Sequence, residues 1–309
     1  MPQAGASRAA LTAAFATLYV VWGSTYLGMA IAIETIPPFL MAGARFLTAG
    51  GLLYLWLRMR GVRPPTPEQW RTSLAVGAML LLCGNGLVVW AQQWVPSGVA
   101  ALIIASTPLW MVCLPWLARR APRPAPLALV GIAIGMAGVV LLGIGPLEVR
   151  SDPRYLVGVG AILLAALTWA GGSLWSRGRA QPAEPLMGTA AQMLCGGALL
   201  FFAALAIGDT RDFVFSAVSL RSALALVYLI VVGAIIGFGT YMYLLRNTTP
   251  AAASTYAFVN PLVAVALGRW LHDEPLNARI ALAATLVVAA VVLVVLSGRR
   301  RSAPDPDAA

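Results

Sequence analysis

From Thr72 to Ala118 the chain carries no charged residue. A bilayer core is crossed by about 20 apolar residues of helix, so this run is long enough for two crossings. The step Pro96-Ser97-Gly98 supplies a turn between them. Inside lipid every backbone amide must find its partner within protein, which leaves only helices or a closed barrel. Barrel strands alternate apolar and polar residues, whereas the apolar runs here are continuous. Across the chain 60% of residues are hydrophobic and 10% charged, against about 25% charged in soluble domains. A soluble domain with one core is excluded. The expected class is an all-α, multi-span membrane protein.

Charges and prolines mark the ends of the spans. Ten are expected, near residues 11–32, 38–57, 72–92, 98–118, 125–145, 155–176, 185–207, 222–245, 251–271 and 279–298. Residues 299–309 read as a basic stop and a disordered cytoplasmic tail. Arg8 leads directly into the first span, with no clean cleavage site for a signal peptide.

The net charge of +10 comes from arginine alone. In a soluble chain that would suggest nucleic acid; here the arginines sit in short loops, where they set orientation. The N-terminus, the C-terminus and the loops after even-numbered spans hold fourteen of the 21, and the opposite loops hold six. Acidic residues reverse the bias, four against seven. Both termini are therefore expected in the cytoplasm, and an even number of spans agrees in putting them on one side.

Two stretches interrupt apolar helices with costly residues. Around Tyr256, Asn260 and Pro261, and again around Ser106, Thr107 and Pro108, a proline removes a helix hydrogen bond beside a polar side chain. Pro108 and Pro261 stand 153 residues apart, which pairs Thr107 with Asn260. Trp22 with Trp169, Pro38 with Pro185 and Gly50 with Gly197 pair at an offset of 147. The chain thus divides into a first repeat over 1–150 and a second over 151–298. Each holds an odd number of spans, so the second copy enters the membrane inverted, and a binding site is expected where the halves meet.

The residues that repeat also carry a resemblance. Trp22-Gly23-Ser24-Thr25-Tyr26, Pro37-Pro38, Arg45-Phe46, Gly84-Asn85-Gly86 and Val95-Pro96-Ser97-Gly98 lie in the first half. Thr107-Pro108-Leu109 and Gly131 to Gly135 follow, and Arg246-Asn247, Val259-Asn260-Pro261 and Glu274-Pro275-Leu276 lie in the second. In this order they resemble an EamA-type member of the drug/metabolite transporter superfamily. The resemblance implies ten spans, two inverted repeats around a central cavity, and efflux of amino acids or similar small metabolites. One place departs from it: where the family often has a glutamate after the fourth span, this chain reads Arg119-Arg120-Ala121, so only Glu274 is present.

The cavity candidates follow from helix faces. Tyr19, Trp22, Tyr26 and Met29 recur at three and four residues and share a face, either for packing or for lining a site. Asn85, between two glycines, shares a face with Val89 and Gln92; it is a site candidate or a packing amide. Gln92 and Gln93 are expected at a solvated rim. Ser106 with Trp110, Tyr256 with Asn260, Trp169 on the sixth span and Tyr241 on the eighth complete the expected lining. Prolines on either side could free carbonyls for a substrate ammonium, or only bend the helices. Arg45 is the one charge well inside a span; it either serves function or bonds helix-end carbonyls and the interface.

No Asp or Glu sits mid-span, the single histidine lies in a loop, and the three cysteines lack metal-ligand spacing. No enzyme activity, cofactor or metal is expected. The expected function is export of neutral, aromatic or sulfur-containing amino acids across the cytoplasmic membrane by alternating access. A drug or metabolite exporter with another cargo is the alternative, then a channel. The expected partners are a small-molecule substrate and the bilayer, not nucleic acid, and the chain is taken as a monomer.

Overall fold

The computed structural model describes residues 7–143, 152–211, 213–248 and 255–301. Those residues are helical and contain no strand. In order they form α1 (Arg8–Ala32), α2 (Pro38–Met59), α3 (Pro67–Ala91), α4 (Ser97–Leu117) and α5 (Pro126–Gly143). The second half holds α6 (Pro153–Ser176), α7 (Pro185–Ala206), α8 (Leu220–Leu244), α9 (Tyr256–Leu271) and α10 (Ala278–Arg301). Seven of these are long and apolar enough to cross a membrane, while α5, α9 and α10 contain shorter apolar stretches.

Five helices begin on a proline: Pro38, Pro67, Pro126, Pro153 and Pro185. A proline at the first helical position loses nothing, since its missing N–H would be unbonded there anyway. This is why the prolines marked the boundaries well. The third helix starts five residues earlier than expected. Thr66 accepts from the Gln69 amide and the Gln69 side chain accepts from the Thr66 amide, a reciprocal cap that carries the helix through charged Glu68 and Arg71. The last helix runs through Arg299 to Arg301, which the sequence reading assigned to the tail. Arginine is a good helix former, and its charge suits a helix C-terminus. Residues 302–309, the start of the ninth expected span at 251–254 and the loop at 146–151 lie outside the described residues.

Two wide-turn segments were not foreseen. Ala78–Gly86 in α3 and Leu229–Ile236 in α8 are π-helical, each in the middle of its span. Such turns insert an extra residue and commonly mark functional positions. Around Pro108 the fourth helix breaks between Ile104 and Thr107. Around Pro261 the ninth helix continues unbroken. The paired prolines therefore act differently.

The packing repeats in the two halves. Helix α1 lies against α8 and α9, as α6 lies against α3 and α4. Helix α2 meets α7, α4 meets α9 and α5 meets α10. At the α2–α7 crossing the two paired glycines face opposite helices. A Cβ on Gly50 would sit 2.8 Å from Met193 Cβ, and one on Gly197 would sit 2.7 Å from the Leu47 amide nitrogen. Membrane helices gain little from excluding lipid, so close backbone approach at small residues supplies their attraction.

Candidate functional site

Three of the expected cavity residues meet. Trp22 of α1 stacks edge-on to Tyr256 of α9 at 4.7 Å between ring centres and lies 5.2 Å from Tyr241 of α8. Tyr241 and Tyr256 are perpendicular at 5.8 Å. Phe238, which the helix-face reading missed, completes the group 5.4 Å from Trp22. Edge-to-face aromatic geometry is the favourable one, because a ring's positive edge meets its neighbour's negative face. The group rests on Leu18 and Leu244, both fully buried. Phe238 adjoins Gly237, on which the Trp22 indole lies; no alternation or periodicity in the sequence could have matched them.

Asn260 stands behind these rings, 8% exposed. With its amide turned so that nitrogen meets acceptors, it donates to the Tyr256 carbonyl at 3.1 Å and the Tyr19 carbonyl at 3.2 Å. Tyr19 also pairs its hydroxyl with that of Thr255 at 2.6 Å. Asn260 thus ties α9 to α1. The helices can approach there because Gly23 faces Val263: a Cβ on Gly23 would lie 2.6 Å from Val263 Cβ.

A second group forms in the other half. Trp169 of α6 lies over Gly84 of α3, where a Cβ would come within 2.9 Å of the ring. It matches Trp22 lying over Gly237 of α8, where a Cβ would run into the indole nitrogen. Both tryptophans therefore cross onto the span that carries a π-helical segment. Beside Gly84, Asn85 offers its amide nitrogen to Met29 Sδ at 3.9 Å, while its buried Oδ1 has no hydrogen-bond partner among the described residues. Tyr26 is half-buried, and its carbonyl accepts from Gln92 at 3.0 Å. Gln92 is 9% exposed, with its amide nitrogen turned back against α1. Gln93 is exposed.

The fourth helix contributes less. Ser106 is fully buried, and its hydroxyl donates to the Ile103 carbonyl at 2.6 Å, which also accepts the Ser106 amide at 3.0 Å. Thr107 does the same to Ile104 at 2.6 Å. Trp110 keeps a buried indole nitrogen without a hydrogen-bond partner among the described residues. Neither Ser106 nor Trp110 joins the ring group on α1, α8 and α9.

A cleft of about 520 Å³ opens where α1, α3 and α9 end, lined among others by Glu34, Gln92, Ser97, His272 and Glu274. Glu34 pairs with Arg221 at 3.3 Å and approaches His272 Nδ1 at 3.9 Å. Glu274 accepts from the Ser97 amide at 2.7 Å and the Gly98 amide at 2.9 Å, capping α4. Asp209 likewise accepts from the Phe39 amide at 3.1 Å at the start of α2. Burial raises the Asp209 carboxyl above its ordinary value, and its bonds to the Phe39 and Leu40 amides offset part of that. Two acids from loops thus sit on helix N-termini, where backbone N–H groups and the helix dipole favour negative charge.

A model of the EamA-like transporter family matches residues 9–144 and again residues 156–296. YedA of Escherichia coli (strain K12), described as an uncharacterized inner membrane transporter, is 40% identical over 287 residues, 93% of this chain and 90% of that protein. Protein PecM of Dickeya dadantii (strain 3937) is 26% identical over 276 residues, 89% of this chain and 88% of that protein. A solved crystal structure with 23% sequence identity superposes with a TM-score of 0.63 over 96% of this chain and 100% of that one, a likeness of fold.

Proposed function

The chain belongs to the EamA-like transporter family, membrane transporters of the drug/metabolite type, and on that premise we propose that it exports amino acids across the cytoplasmic membrane by alternating access. The cargo is neutral, aromatic or sulfur-containing amino acids and similar small metabolites. Ten spans are arranged as two inverted five-helix repeats, 1–150 and 151–298, with both termini in the cytoplasm. The double family match and the matching helix contacts of the two halves support this division. The arginine bias supports the orientation, which places the Glu34–His272 cleft on the outer face.

The observation that carries the cargo class is the ring group of Trp22, Tyr241 and Tyr256, contributed by three helices. Small-molecule sites are mostly apolar and aromatic, with a few polar groups that fix orientation. Asn85 of α3 and Trp169 of α6 form the matching surface in the other half, and Tyr26 stands one turn from Trp22 on α1. Asn260 holds the α1–α9 wall, and Ser106 and Trp110 border the site from α4. No carboxylate stands among these residues, which suits a neutral or zwitterionic cargo better than a dication.

Counterflow into proteoliposomes tests the proposal with labelled methionine, threonine and phenylalanine, with and without a pH gradient. Carriage of at least one without a gradient is expected. If none is carried while a neutral apolar drug is, the chain is an exporter with another cargo. A steady single-channel current would instead make it a channel.

A further inference from the structure

Arg45 lies on α2, seven residues from its first residue Pro38 and so about 10 Å along the helix at 1.5 Å per residue. It is 5% exposed. Its stem is enclosed by protein. Its Nε and Nη1 are buried and hydrogen-bond to nothing among the described residues. Its guanidinium carbon stands 4.9 Å from the ring centre of neighbouring Phe46, a contact that softens the charge but does not balance it. Among the described residues the one acid inside a span is Glu68, in the exposed first turn of α3, and no acid pairs with Arg45. A buried charge without a counter-ion is strongly unfavourable, so an arginine in this position calls for a partner.

The surroundings define that partner. Arg45 and Thr25 of α1 converge over Gly233, in the π-helical segment of α8. A Cβ there would sit 3.4 Å from Arg45 Nη2 and 3.0 Å from Thr25 Cγ2. One turn along the same face of α1, Met29 meets Asn85, whose Oδ1 is an orphaned acceptor. Thr25 and Met29 are four residues, about 6 Å, apart along the helix. Unsatisfied donors and an unsatisfied acceptor therefore flank neighbouring turns of α1. A planar guanidinium presents parallel N–H groups that match a carboxylate.

We infer that Arg45 binds the carboxylate of the cargo, and that Asn85 Oδ1 accepts from its α-ammonium. This rests on the amino-acid reading above and adds the group by which the cargo is held. It predicts that amino acids are recognised by their common backbone, while the aromatic surfaces sort side chains loosely.

The test uses thermal unfolding of the purified full chain with methionine, methionine amide, which lacks the carboxylate, and 4-(methylthio)butanoate, which lacks the ammonium. Both carboxylates should raise the wild-type Tm, with methionine acting at lower concentration, and the amide should not. R45Q should show no shift with any of them, while melting at or above the wild-type temperature, because an unpaired buried charge has been removed. R45K keeps charge but not the fork and should need at least tenfold more butanoate for the same shift. Equal shifts in wild type and R45Q, or an amide as effective as methionine, would overturn the inference. So would an R45Q chain that melts well below wild type or does not fold, since the guanidinium would then be structural. Arg45-dependent stabilisation by inorganic phosphate or phosphatidylglycerol, but by neither carboxylate, would also overturn it and assign a headgroup. If wild type carries no amino acid in counterflow yet butanoate still protects through Arg45, the cargo reading fails and the carboxylate site stands.

Discussion

Glu274 joins the α9–α10 loop to the start of α4 through two amides, at 2.7 Å from Ser97 and 2.9 Å from Gly98. Replacing it with alanine leaves both N–H groups at the helix end without an acceptor. A hydrogen bond to an ionised group contributes about 1.5–3 kcal/mol. Glu274 is only half-buried, so water recovers part of that, and lost N-caps cost about 0.5–2 kcal/mol. A loss of about 2 kcal/mol is expected for E274A, or about thirtyfold in a local opening equilibrium. Hydrogen exchange followed by mass spectrometry should show it in peptides covering Ser97 to Ile104, while peptides from α2 and α7 keep their rates. E274Q retains one acceptor oxygen without the charge and should fall between. Unchanged exchange at the start of α4 in E274A would refute the idea that this carboxylate holds the loop. The first half has Arg119-Arg120-Ala121 at the corresponding place, so that loop offers no matching acid.

N260A removes both amide donors to the Tyr19 and Tyr256 carbonyls and should cost about 1 kcal/mol, read as a lower Tm in detergent; an unchanged Tm would show that the α1–α9 contact does not depend on it. Asp209 has its carboxyl raised by burial, so its ionised form opposes folding and stability falls as pH rises through the raised pKa. D209N keeps an acceptor for the Phe39 amide without the charge: it should melt above wild type at pH 7, and the gap should close near pH 3, below the ordinary carboxylate range of about 3.9. A gap that persists at low pH would point to another cause.

Much of the architecture was legible in the chain itself. Uncharged runs set the spans, because lipid tolerates neither charge nor an unpaired backbone group. Prolines set helix starts, since a missing N–H costs nothing at the first position. Gly50 and Gly197 paired in sequence and then met at one crossing, because close approach is a local demand that only a bare Cα meets. Trp22 and Trp169 paired likewise and came to lie over Gly237 and Gly84. Tertiary structure decided which polar atoms are spent and which are left over. Ser106 and Asn260 look alike in sequence to Asn85 and Arg45, being polar groups at membrane depth. The first two bond backbone carbonyls, one within its own helix and one also across to α1. The second two retain orphaned atoms. Helix periodicity gives the face on which a side chain stands, but hydrogen bonding depends on which carbonyl a neighbouring helix brings within about 3 Å, and that is set only when the helices pack.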